Sequence, residues 1–197
     1  MLCLGIVPVL GALYLARGRM RSLDQMRERI EGDCRCRLEC VATALAGKLI
    51  DGPALQTAAG VISLRASRAP QSMVIDQTVF AAPAAGGHVL SIVGKPDSAC
   101  AIRSRFIRPV PSLDPDLLAG YLVTSSDEGF ARTVVTRPLL DALRSLDTRI
   151  RGRTQLRVTG GAIAIVVNRG LSTPGELLAF HEGCGEVVRL LRPVERD

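Results

Sequence analysis

Two short stretches hold the residue types that could do nucleophilic or metal chemistry. "GDCRCRLEC", residues 32–40, sets Cys34, Cys36 and Cys40 close together in a chain with six cysteines, and "HEGCGE", residues 181–186, sets His181 three positions before Cys184. A zinc site draws on two close ligand pairs with a recurrent spacing, and the second pair on offer here is His181 with Cys184. A metalloprotease helix needs a second histidine four residues after the first, but that position is Gly185. A Cys-His nucleophile pair is conceivable from the spacing of His181 and Cys184. Against it, Leu177, Phe180, Cys184, Val187 and Leu191 form one apolar helical stripe, which makes Cys184 a core residue with His181 at its border. "AGKL", residues 46–49, lacks the earlier glycine and the following hydroxyl of a phosphate loop. His88 stands in a turn, and Asn168, followed by Arg169 and Gly170, is no glycosylation acceptor. The sequence thus nominates no catalytic, cofactor-binding or metal-ligating residue and implies no cofactor.

The elements that would position these residues are read from periodicity. A period of two through "CRCRLECVA" puts Cys34, Cys36, Leu38, Cys40 and Ala42 on one face and Arg35, Arg37 and Glu39 on the other, which predicts a half-buried strand. On such a face cysteine acts as a small hydrophobe. Cys34 and Cys36 would sit about 7 Å apart, too far for an easy mutual disulfide.

The N-terminal run "MLCLGIVPVLGALYLA", residues 1–16, is uncharged and is followed by Arg17, Arg19 and Arg21. A secretory signal carries its positive charge before the apolar core and a cleavage site after it, and neither is present. The positive-inside rule orients the run as a single-pass anchor in the cell membrane, with everything after Arg17 cytoplasmic and Arg17, Arg19 and Arg21 contacting the bilayer surface. At ~1.5 Å per residue the run spans roughly 24 Å, short of the roughly 30 Å of hydrocarbon. The alternative is an apolar segment buried in a soluble core. Met20, Leu23, Met26 and Ile30 then mark a basic juxtamembrane helix or linker over residues 17–32.

Residues 33–108 read as an antiparallel β-rich region, with an Asp51-Gly52 turn, the alternating "VISLRAS", the apolar runs "SMVIDQTVF" and "HVLSIVG", and "CAIRSRF" with Cys100 on its apolar side. The proline-rich residues 109–120 read as a linker. Residues 121–197 predict a strand-helix-helix-hairpin-helix unit: the strand "GYLVTS", a Ser125 to Glu128 capping box, a helical stripe of Leu139, Leu143, Leu146 and Ile150, a hairpin at Gly160-Gly161, and a last helix opened by Thr173, Pro174 and Glu176. The expected class is α+β, with the N-terminal apolar helix as membrane anchor.

A length of 197 residues suffices for a real core, and 3% aromatic content without Trp makes that core aliphatic. The net charge of +6 suits phosphate or anionic lipid, yet stacking aromatics are too few for single-strand binding, so nucleic acid is excluded as a partner.

The uncharged N-terminus together with "LAGKLIDG", "VISLRAS", "YLVTSSDEGFARTVVTRPLLDAL" and "LRVTGGAIAI" resembles uncharacterised bacterial single-pass membrane-anchored proteins of unknown function. The resemblance implies a small β-region before a strand, helices and a glycine-turn hairpin, and it carries over no activity and no site residue. The expectation is a membrane-anchored cytoplasmic interaction module without catalytic activity, partnered by membrane lipids and a protein. The alternatives are a Cys/His-dependent enzyme or zinc-binding protein, and a soluble anion-binding domain.

Overall fold

A computed structural model describes residues 6–69, 72–84, 86–94, 108–110, 113, 116, 118 and 120–191, with side chains described from residue 24 onward except at 66–69, 72–76 and 108–109. The chain opens with α1 (Ile6–Ala42), followed by β1 (Lys48–Ile50), β2 (Ala54–Gln56), β3 (Val61–Ala69), β4 (Ser72–Pro83), β5 (Leu90–Gly94) and β6 (Arg108–Pro109). It continues with β7 (Tyr121–Ser125), α2 (Glu128–Val134), α3 (Arg137–Ile150), β8 (Thr154–Thr159), β9 (Ala162–Val167) and α4 (Pro174–Leu191). The strands form one nine-stranded sheet in the order β1-β2-β3-β4-β9-β8-β5-β7-β6, with every pairing antiparallel.

Side-chain alternation along each strand builds the core. Successive registers align Leu55, Ile62, Phe80, Ile165, Leu156, Ile92 and Val123 in one row across the sheet. All of them are buried, and together with α3, α4 and the C-terminal end of α1 they form a single cluster. Turn chemistry sets the registers. Gly160 and Gly161 take φ of 56° and 79°, the two positive values that a two-residue hairpin loop requires between β8 and β9.

The α+β class holds, but the N-terminal apolar anchor does not. No helix among the described residues is long and apolar enough to cross a membrane. α1 is a continuous 37-residue helix that carries Arg17, Arg19 and Arg21 within it. The helix runs on through these arginines without a break, so the apolar and the charged residues belong to one element. The single-pass placement that rested on the anchor loses its support with it.

The strand expected over Cys34 to Ala42 is also corrected, because α1 continues through it. The segment satisfies two periods. At helical spacing Ile30, Cys34, Leu38 and Val41 fall on one face; the last three are buried and Ile30 packs against them. The charges decide in favour of helix, since Arg27–Glu31 (2.7 Å), Asp33–Arg37 (2.7 Å) and Arg35–Glu39 (3.5 Å) all pair at i,i+4. A smaller revision concerns the cap of a later helix. α2 is capped by Asp127, whose Oδ1 accepts the Phe130 N–H at 3.0 Å, while Ser125 bonds instead to the backbone of Val89 and Asp127. Pro109 of β6, at the start of the proline-rich stretch, pairs with Thr124.

Candidate functional site

The chemistry-bearing residues are dispersed by the fold. Of the α1 cysteines, Cys34 is buried in the core, where desolvation raises its thiol pKa, while Cys36 and Cys40 point to solvent. Cys3 and Cys100 lie outside the described residues, as do the "CAIRSRF" strand and the side chains of Arg17, Arg19 and Arg21.

On α4 the apolar stripe turns Cys184 inward, where it is completely buried and its thiol is pushed well above the ordinary value by desolvation. His181, one turn earlier, leaves that direction. Its Nε2 lies 2.9 Å from the Thr57 hydroxyl, and its ring meets Phe80 edge-on at 6.0 Å between centroids. Burial lowers the His181 pKa, with the charge of Glu182 opposing, which favours the neutral ring. Thr57 in turn closes the β2–β3 turn, accepting the Gly60 N–H at 3.2 Å and bonding to the Gly60 carbonyl at 2.9 Å. Histidine, threonine and the Gly60 turn thus form a structural latch between α4 and the sheet, and Cys184 is not part of it. Among the described residues no group of three or more metal-ligating side chains comes together.

His88, read as a lone turn residue, stacks on Phe130 at 4.5 Å with 16° between the planes, and its Nδ1 lies 3.4 Å from Asp127 Oδ2. The neighbouring hydroxyls are committed to backbone: Ser125 Oγ donates to carbonyl oxygens, and Ser126 Oγ accepts the Val89 N–H. A histidine and carboxylate are present there without a free nucleophile.

A concavity of about 230 Å³ lies where β5 ends, β8 begins and β9 ends. It is lined by Val93, Gly94, the run Gly152 to Gln155, and the run Val167 to Arg169. The antiparallel register brings these together, since Thr154 pairs with Val167 and Gln155 with Val93. Its polar side chains are Arg153, Thr154, Gln155, Asn168 and Arg169, and among the described residues no carboxylate lines it. Carboxylates stand behind the wall instead. Asp147 Oδ1 accepts from both the amide and the hydroxyl of Thr154 at 2.7 Å, and burial is the main influence raising its carboxyl pKa. Glu176 Oε1 takes Arg169 Nη2 at 2.7 Å, and Nη2 also donates to the Ile150 carbonyl. Arg169 Nε is buried without an acceptor. This grouping was not legible in the sequence, because its members come from three strand ends whose adjacency is a property of the sheet order. The signal available was the recurrence of arginine beside glycine, at Gly152-Arg153 and Arg169-Gly170.

No protein-family model matches the chain, and no curated protein matches it in sequence. Among solved structures, the crystal structure of the mycobacterial trehalose monomycolate transport factor A, TtfA, aligns with a TM-score of 0.51 at 12% sequence identity, covering 83% of this chain and 98% of that one. At such an identity the likeness is one of fold.

Proposed function

We propose that the protein is a non-enzymatic accessory factor that works by engaging a protein partner. The observation that carries this reading is how several of the described reactive side chains are committed: His181 is latched to Thr57, Cys184 and Cys34 are sealed in the core, and Asp127 and Glu176 serve as helix-opening acceptors, while Cys36 and Cys40 stay in solvent. Acid–base or nucleophilic catalysis needs such groups to converge on a point open to substrate, and these point apart. The fold shared with a trehalose monomycolate transport factor adds support, and it suggests a role in transporting a glycolipid rather than in making it.

The test is complementation of a deletion strain by a chain carrying His181→Asn, Cys36→Ser and Cys40→Ser, scored by glycolipid composition, with far-ultraviolet circular dichroism of the purified variant as the fold control. A deletion that blocks glycolipid transport and is fully rescued by the variant agrees with an accessory role. A folded variant that fails to rescue points to Cys/His-dependent chemistry and overturns it. Alkylation of the native protein provides the second check: Cys36 and Cys40 should label rapidly, and Cys34 and Cys184 only after denaturant is added.

A further inference from the structure

We infer that Cys36 and Cys40, on the outward side of α1, form a two-thiolate chelate for a soft metal ion satisfied by two ligands, copper(I) being the ion that fits. This goes beyond the accessory role proposed above and does not rest on it. Cysteine is among the residue types most often buried, and Cys34 and Cys184 follow that habit. Cys36 and Cys40 do not, since both are exposed and free. Packing therefore gives no account of them, and what remains is the chemistry of sulfur.

Their spacing makes them a pair. With 3.6 residues per turn, positions 36 and 40 differ by only about 40° around the helix axis and by about 6 Å along it. Side chains so spaced have Cβ atoms about 5–6 Å apart. Two metal–sulfur bonds of about 2.3 Å, the length found at zinc thiolates, bridge sulfurs about 4–5 Å apart, so side-chain rotation alone brings both thiols onto one ion. The backbone between them is held in place. Cys34, Leu38 and Val41 bury the other side of the same turns, and the ion pairs Asp33–Arg37 (2.7 Å) and Arg35–Glu39 (3.5 Å) run along the flanks. Gly32, one turn before Cys36, has open space where a Cβ would stand, which leaves the approach to the thiols clear.

The surroundings select the metal. The carboxylates nearest in sequence, Asp33 and Glu39, already face arginines, so the ligands on offer are the two sulfurs. Thiolates select soft ions, whereas calcium and magnesium demand an oxygen shell. A structural zinc ion needs four ligands, and among the described residues no third metal-ligating side chain joins the pair. Copper(I) is soft and is content with two sulfurs. Binding involves no oxidation: each thiol releases its proton to solvent, each sulfur gives an electron pair to the metal, and the copper enters and stays as copper(I).

The experiment is an anaerobic titration of the full-length chain with copper(I) supplied as its coloured bicinchoninate complex, read by loss of that colour and by the ultraviolet thiolate-to-copper band. Cys3 and Cys100 are thiols too, so the site is read as the difference between the native chain and Cys36→Ser/Cys40→Ser, expected at one copper per chain. Cys36→Ser alone should bind about a hundredfold more weakly, because the second sulfur no longer acts at high effective concentration. A variant that keeps two exposed thiols but parts them separates chelation from simple thiol affinity. Cys36→Ser with Gln25→Cys sets the sulfurs about 22 Å apart along α1 and should show the same hundredfold loss. Zinc should be held no more tightly by the native chain than by Cys36→Ser/Cys40→Ser. Equal copper uptake by these two proteins, or parted thiols that bind as tightly as the native pair, overturns the site. Two chains per copper in sedimentation, or zinc held tightly by the native chain alone, overturns the two-ligand assignment.

Discussion

Glu176 shows how a residue's role divides between what its neighbours in sequence supply and what the fold adds. Its position three after Thr173 makes a capping box, and both halves form: Thr173 Oγ1 accepts the Glu176 N–H at 3.2 Å, while Glu176 Oε2 accepts the amides of Ser172 (3.0 Å) and Thr173 (3.3 Å). A further partner, Arg169, arrives from the end of β9. Desolvation alone would raise the carboxyl, but the hydrogen bonds from Arg169, Ser172 and Thr173 and the charge of Arg169 outweigh it and bring the pKa to about 2, against an ordinary 4.5. A folded-state pKa below the unfolded value means stability that is present above pH 4.5 and is lost as pH falls toward 2. Glu176→Gln should therefore be less stable by about 1 kcal/mol at neutral pH, the usual size of a capping contribution. The gap should close on acidification, as followed by urea unfolding across that range. A gap of constant size would show that packing, not charge, is what the substitution removes.

At the level of elements, α4 raises a question about its two interior glycines. Each lowers helix propensity by about 1 kcal/mol relative to alanine, and from spacing alone Gly183 and Gly185 are equivalent. The fold separates them. A Cβ on Gly183 would lie 2.7 Å from Leu146 Cδ1 and 3.3 Å from Leu146 Cβ, so Gly183 is where α4 closes onto α3. A Cβ on Gly185 would meet Ala59 at an ordinary 4.0 Å. Gly185→Ala should accordingly stabilise by up to about 1 kcal/mol. Gly183→Ala should destabilise by about 1 kcal/mol or more, because overpacking exceeds the propensity gained. Thermal unfolding of the two variants checks the sign of each. α1 teaches the complementary lesson, because cysteines alternating with arginines satisfy a period of two while the i,i+4 charge pairs satisfy a helix, and the helix prevails.

At the scale of the whole molecule, the two regions separated by the proline-rich stretch share one sheet. β5 from the first lies between β8 and β7 from the second, and β4 pairs with β9. Residues 121–197 expressed alone should therefore fail to fold, since β8 and β7 each lose their β5 partner and β9 loses β4. The fragment should show neither a cooperative thermal transition nor protected amides. A chain beginning at residue 24 should retain the transition, whereas one beginning at residue 43 loses the buried Cys34, Leu38 and Val41, each large aliphatic worth about 1.5–3 kcal/mol. A stable, cooperatively folded 121–197 fragment would contradict the single-sheet architecture.

Local rules by themselves determined the α+β class, the helices over α3 and α4, and the turns at Gly52 and at Gly160-Gly161, where positive φ is needed and glycine supplies it. These features depend on residues within a few positions of one another, so a linear reading captures them. Tertiary structure decided the rest. It buried Cys34 while leaving Cys36 and Cys40 in solvent, drew His181 to Thr57 across 124 positions of chain, and made the cleft from three strand ends. Strand order, which brings β5 between β8 and β7, is set by the combined burial of the apolar row from Leu55 to Val123, and no segment of the chain encodes that sum alone.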